Sequence, residues 1–268
     1  MNRSQLVQSI KSKSTMLSVG LDTDIRRIPA HIIQGYDDPI VEFNRRIIEA
    51  THEYCVAYKF NIAFYEAQGA SGWRSLEDSL SLVPDGIFTI ADAKRGDIGN
   101  TSELYARTFF ENYDFDAITV APYMGFDSLE PFFRFEEKWV IILGLTSNAG
   151  SADFQMKRLE DGTYLHEEVI RRCAEYGTTD NTMFVVGATQ SEGIKRVRDL
   201  VPEHFFLMPG FGKQGGSLEE AINYGKTADI GLLINSSRGI IYASEGEDFD
   251  QVARMTAAEV SRQMAQYI

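Results

Sequence analysis

Eight short apolar runs recur along the chain, and they constrain its fold more than any other feature. They are MLSVGLD (16–22), CVAYKFNI (55–62), IFTIADAK (87–94), AITVAPY (117–123), WVIILGLT (139–146), MFVVGAT (183–189), FFLMPG (205–210) and DIGLLINSS (229–237). Most are nearly continuous in apolar residues, the pattern of parallel strands covered on both faces. Amphipathic stretches lie between them. DPIVEFNRRIIEATHEY (38–54) sets Ile40, Phe43, Ile47 and Ile48 on one helical stripe. TSELYARTFFENY (101–113), LHEEVIRRCAEY (165–176), SLEEAINYG (217–225) and FDQVARMTAAEVSRQMAQYI (249–268) read the same way. Alternating strand and helix predicts a parallel α/β fold. Eight such units in 268 residues fit a (β/α)₈ TIM barrel, which takes about 250 residues. With no linker, repeat or low-complexity segment, residues 1–268 read as a single barrel domain. A doubly wound open sheet is the alternative, but SVGLDTD stands where its GxGxxG fingerprint would follow the first strand.

Composition narrows the function classes. A net charge of −13, without a dense Lys/Arg cluster, argues against nucleic-acid binding. The first residues lack the apolar run of a signal peptide, and WVIILGL is far short of the roughly 18 apolar residues of a membrane span. Cys55 and Cys173 lie far apart without CxxC spacing, as in a reduced cytoplasmic protein with buried thiols. The four histidines, 31, 52, 166 and 204, show no metal-ligand spacing. No metal site is expected.

The polar residues are placed less evenly. Asp22 ends the first run, Asp92 and Lys94 the third; Ser147 follows the fifth. Gly210, Gly212, Gln214, Gly215 and Gly216 follow the seventh, and Ser236, Ser237 and Arg238 the eighth. In a barrel those loops share the face that carries the active site. Asp92 and Lys94, two apart, point to one side of a strand. Lys59, inside CVAYKFNI, is costly there unless it meets a partner or a cavity. Asp97 and Thr101 are four apart at the start of a helix and share a face.

Each feature also has a plain structural reading. Asp97 can be a helix N-cap, Asp92 and Lys94 a structural ion pair, and Lys59 a side chain reaching solvent from a strand end. PGFGKQGG and SSRG can be ordinary loops. Their conjunction favours a site. Phosphate grips in barrels recur after strands 7 and 8, glycines let backbone amides approach an anion, and Arg meets phosphate bidentately. A barrel enzyme acting on a small phosphorylated compound follows; spacing alone does not name the reaction.

DAKRGDIGNT (92–101) resembles the signature of the orotidine 5′-phosphate decarboxylase family, whose central pattern is Asp-x-Lys-x-x-Asp-Ile. LSVGLD, YKFN, TSNAGSADFQ (146–155), PGFGKQGG and NSSRGIIYA (235–243) fit the same family, closest to its longer bacterial subgroup. The resemblance spans nearly the whole chain. It implies a carboxy-lyase of de novo pyrimidine biosynthesis that converts orotidine 5′-monophosphate to uridine 5′-monophosphate and carbon dioxide. It implies neither metal nor organic cofactor, and a homodimer. By resemblance Lys94 protonates C6 of the pyrimidine, Asp92 and Asp97 hold that ammonium, and Asp97 and Thr101 come from the second subunit. Lys59 joins the charge network and reaches the ribose, and Asp22 binds ribose hydroxyls. Ser147 meets the pyrimidine edge; Gln214 and Arg238 grip phosphate, with Pro209 and Ser237 in the same substrate-binding loops. One departure stands out: many relatives have SNPG where this chain has SNAG, so Ala149 lacks proline's fixed φ.

Two rivals remain at this point. Sugar-phosphate enzymes of the same superfamily, such as a 3-keto-gulonate-phosphate decarboxylase or a hexulose-phosphate synthase, share the motif but use magnesium, held in part by an acid near the end of strand 2. Lys59 at that position is a poor metal ligand. A catalytically silent nucleotide-binding barrel has no need of a lysine between carboxylates.

Overall fold

A computed structural model describes residues 1–187, 191–209 and 217–268. The strands are β1 Leu17–Gly20, β2 Ala57–Asn61, β3 Phe88–Arg95, β4 Ala117–Val120, β5 Trp139–Leu145, β6 Thr182–Val186, β7 Phe205–Pro209 and β8 Leu232–Ser236. They follow one another in chain order around a closed barrel. Pairing is parallel, with Gly20 opposite Lys59 and Asn61 opposite Asp92. Each apolar run thus contains a strand, most of them shorter than the run; β3 instead extends one residue past it, to Arg95. The open-sheet alternative is excluded by closure. β1, β4 and β6 are buried at every position, as continuous apolar runs require. Residues 188, 189 and 210, the tails of two of the predicted runs, lie outside the described residues.

The chain forms two compact units, Met1–Val7 with Lys94–Ile234, and Gln8–Ala93 with Asn235–Ile268. In the second unit the predicted helix 38–54 runs Pro39–Thr51, with Asp38 capping the amides of Ile40 and Val41 and Pro39 in the first turn. Phe43 stacks on Phe249 of the C-terminal helix Phe249–Ala265, centroids 4.9 Å apart. Asn44, fully buried, accepts from Thr23 and donates to Tyr65 and Ser79, so its amide is satisfied.

In the first unit Trp139 packs edge-on to Phe205 and donates its indole N–H to the carbonyl of Met1. The predicted helix 101–113 is two pieces: an α-helix Gly99–Arg107 and a π-helical turn Thr108–Asn112. The wider turn seats two consecutive aromatics, Phe109 and Phe110, both buried, and Thr108 bonds back to the Leu104 carbonyl. β5 shifts register between Leu143 and Leu145. Gly144 sits at the shift, where a Cβ would press on Ile170 at 3.0 Å. Such irregularities re-aim strand ends, and the segment that follows carries Ser147.

Candidate active site

At the C-terminal ends of β1, β2 and β3, within one unit, the Lys59 ammonium lies 3.0 Å from Asp22 Oδ1 and 3.1 Å from Asp92 Oδ2. Lys59 is 4% exposed, so the solvent-reaching reading fails: the lysine is buried between two carboxylates. Burial alone would push its pKa down; the two carboxylates outweigh that and hold it above its ordinary value. Asp92 thus forms an ion pair with Lys59 on the neighbouring strand. Acid, ammonium and acid alternate across the three strands.

The backbone beneath Asp22 is pinned from two sides. Tyr65 donates to the Leu21 carbonyl and Tyr242 to the Asp22 carbonyl. The Leu21 amide donates to the Lys59 carbonyl at 2.8 Å, and the Asp24 amide donates to the Tyr242 hydroxyl. Burial raises both tyrosine pKa values, that of Tyr242 to about 12, so both hydroxyls stay protonated donors. Neither tyrosine was marked by the sequence, because they reach their partners across 44 and 220 positions.

The same unit holds the end of β8. Asn235, buried, accepts from Ser18 and donates to Ser237 Oγ. A side chain at Gly20 would collide with Ser237 Oγ, so glycine is required for the two strand ends to meet. Arg238 opens the short helix Arg238–Ile241 and is exposed.

The other predicted residues belong to the first unit, which begins at Lys94. Lys94 is exposed and has a left-handed backbone, φ +50°, a conformation costing about 1 kcal/mol or more for a side chain with a Cβ. Asp97 is not a helix cap: the cap position is Ile98, without a side-chain bond, and the Asp97 carboxylate accepts from the Ile98 amide. Asp97 precedes the helix and Thr101 lies inside it, so the two do not share a helical face. The Asp97 backbone is held in both directions by Ser102 Oγ.

Ser147 is partly exposed and rests against Gly187, where a Cβ would come within 2.8 Å of its backbone and side chain. Its neighbour Thr146 is gripped by Gln155, whose Oε1 accepts the Thr146 amide and whose Nε2 donates to the Thr146 hydroxyl, both at 2.8 Å. His166 in turn braces the Gln155 carbonyl with its amide and its Nδ1. Pro209 closes β7, and Gln214 lies outside the described residues.

A parallel barrel with a buried carboxylate–ammonium–carboxylate array at its strand ends has the layout of a barrel enzyme. The family is specified by similarity: residues 15–249 match the model of the orotidine 5′-phosphate decarboxylase / HUMPS family, and the chain belongs to that family. It is 51% identical over 271 residues to the orotidine 5′-phosphate decarboxylase of Bacteroides fragilis, covering all of this chain and 98% of that protein. Among solved structures it is similar to the OMP decarboxylase of Leishmania donovani (TM-score 0.83, 39% identity, 99% of each chain). It also matches the UMP synthase of the same organism (TM-score 0.87, 41% identity), covering 98% of this chain and 56% of that one.

Proposed function

We propose that the protein decarboxylates orotidine 5′-monophosphate to uridine 5′-monophosphate, in pyrimidine biosynthesis, and that residues 1–268 act as one barrel domain. The observation that carries this reading is the Lys59 ammonium set between Asp22 and Asp92, in a chain with full-length similarity to decarboxylases. Losing carbon dioxide from C6 leaves an electron pair in the ring plane with no conjugated sink. A fixed positive group must stabilise that pair as it develops and then deliver a proton to the carbon. Lys94, at the end of the strand that bears Asp92, takes that role. Asp92 and Lys59 supply preorganised charge for the same reaction, and Asp22 with Lys59 holds the ribose hydroxyls. Ser147 meets the pyrimidine edge, and Pro209, Gln214, Ser237 and Arg238 form the phosphate side. Binding energy from the distant phosphate then supports positioning at C6.

No metal or cofactor enters this scheme. The donor set supports that: the space between Asp22 and Asp92 is taken by an ammonium, not open to a divalent cation. A homodimer, with Asp97 and Thr101 serving the neighbouring site, is supported by exposed apolar side chains on the segments that precede and follow β4. Ile98 and Leu104 flank Thr101, and Tyr123, Met124 and Phe126 follow β4; a second copy would cover them. A cytoplasmic location accords with the described helices, none of which is long and apolar enough to cross a membrane.

The test is loss of substrate absorbance on mixing the protein with orotidine 5′-monophosphate in EDTA. Turnover by wild type, abolished in Lys94→Ala, is the expected result. Turnover only with magnesium and a sugar-phosphate substrate would replace the reading with that of the superfamily rival.

A further inference from the structure

We propose that Thr119 is a positioning residue for Lys94: its side-chain hydroxyl fixes the backbone turn that aims the ammonium. The proposal rests on the reading of Lys94 as the proton donor.

Five non-glycine residues among those described have left-handed backbones. Ser14, Asp114, Glu137 and Ile230 lie in the turns that lead into β1, β4, β5 and β8, where such a conformation is ordinary helix-to-strand geometry. Lys94 differs, because it lies within β3. Its turn also changes where its amide goes. The Lys94 N–H donates to Thr119 Oγ1 at 2.9 Å, a side-chain acceptor on β4. The next residue meets the same neighbour through backbone alone, with the Ala121 amide donating to the Arg95 carbonyl at 2.8 Å. Thr119 is fully buried, and a β-branched side chain in a strand has few rotamers. The acceptor is therefore rigid and dry.

The consequence lies in the direction of the side chain. Relaxing φ from +50° to the strand value of about −120° would swing the Lys94 side chain away from its place. A preorganised charge acts only where it is held before the reaction starts. Thr119 thus bears on the step in which C6 is protonated and not on substrate capture, which the phosphate side governs.

The experiment is steady-state kinetics with orotidine 5′-monophosphate on Thr119→Val, Thr119→Ser and Lys94→Ala, with inhibition by uridine 5′-monophosphate measured alongside. Thr119→Val keeps the shape and removes the acceptor. Its kcat is expected to fall by about tenfold or more, with KM and product inhibition within about threefold. Thr119→Ser, which restores the acceptor, is expected to recover most of the rate. A Thr119→Val enzyme with unchanged kcat overturns the proposal, as does a loss shared equally by KM and product inhibition. If Thr119→Val does not fold, by circular dichroism, the pair Thr119→Ser and Thr119→Ala decides: equal kcat in the two overturns the proposal. A Lys94→Ala enzyme with wild-type kcat instead sinks the reading of Lys94 itself, whatever Thr119 does.

Discussion

Lys59 and Arg198 are both buried cations, 4% and 8% exposed, and the protein satisfies them in opposite ways. Lys59, at the C-terminal ends of its strands, has two carboxylates. Arg198 serves the chain just before β7 and β8. Its guanidinium donates to the carbonyls of Gly225, Val201 and His204 and lies over the Phe206 ring. The two carboxylates lift the Lys59 pKa above its ordinary value, whereas burial lowers that of Arg198. Carbonyl dipoles tie loops together and leave no array of opposed charges. A carboxylate–ammonium–carboxylate array is a poor staple, because removing charges from water costs more than pairing returns, but it is a field that a reaction can use. The contrast matches the division of a barrel into a working end and a structural end.

Breaking each cation tests the contrast. Lys59→Ala is expected to lower kcat/KM by about a thousandfold, near 4 kcal/mol of transition-state stabilisation, while the protein remains folded. Arg198→Met is expected to do the reverse. Four carbonyls, those of Gly225, Val201, His204 and Gly231, lose a donor in a buried place, so urea unfolding should register a loss of about 3 kcal/mol, with kcat/KM unchanged below the melting temperature. A rate loss in Arg198→Met with stability intact would dissolve the distinction.

The two regions also fail at opposite ends of the pH scale. His204, next to the Arg198 cluster, is pushed down to about 4 by burial and then by the charges of Arg198 and Arg3. The unfolded state, at the ordinary value of 6.5, binds a proton that the folded state refuses. Stability is therefore full above pH 6.5 and declines as pH falls toward 4, by up to about 3 kcal/mol. His204→Gln should flatten that slope in unfolding free energies measured from pH 7 to 4. Lys59 has the other sign. Its raised value means its contribution is complete below its ordinary 10.5 and is lost only as pH climbs past it. Unfolding measured between pH 9 and 11 in wild type and Lys59→Met should show the smaller, alkaline difference.

Much of this was legible in the residues. Continuous apolar runs announced buried parallel strands, and of the polar residues at or near strand ends Asp22, Lys59 and Asp92 do come together. What was hidden depended on partners far away in sequence. Tyr65 and Tyr242 fix Asp22 through hydroxyls that no local pattern predicts, and Thr119 meets Lys94 across 25 positions. The cap alternative for Asp97 fails for a local reason: an acid before a helix reads as a cap, but here it closes on the next amide instead. The helix Ala70–Ser81 was masked by its glycine and serines, which have weak helix propensity; packing, not propensity, decides such segments.

Ala149 is the smallest perturbation and bears on how the loop after β5 gets its shape. Proline there would fix φ, and its absence invites the idea of a slack loop around Ser147. The structure supplies another restraint. Gln155 holds Thr146 by both amide atoms, the Thr146 hydroxyl donates to Asn148, and the Asn148 carbonyl accepts the Ser151 amide. The segment is fastened on both sides of the exposed Ala149, so stiffness at residue 149 is redundant. Ala149→Pro is accordingly expected to change kcat/KM by less than about tenfold, 1.4 kcal/mol, and Gln155→Ala to change it more. The reverse order, with Ala149→Pro the more harmful, would mean that freedom at this position, and not the grip on Thr146, sets the shape of the segment that carries Ser147.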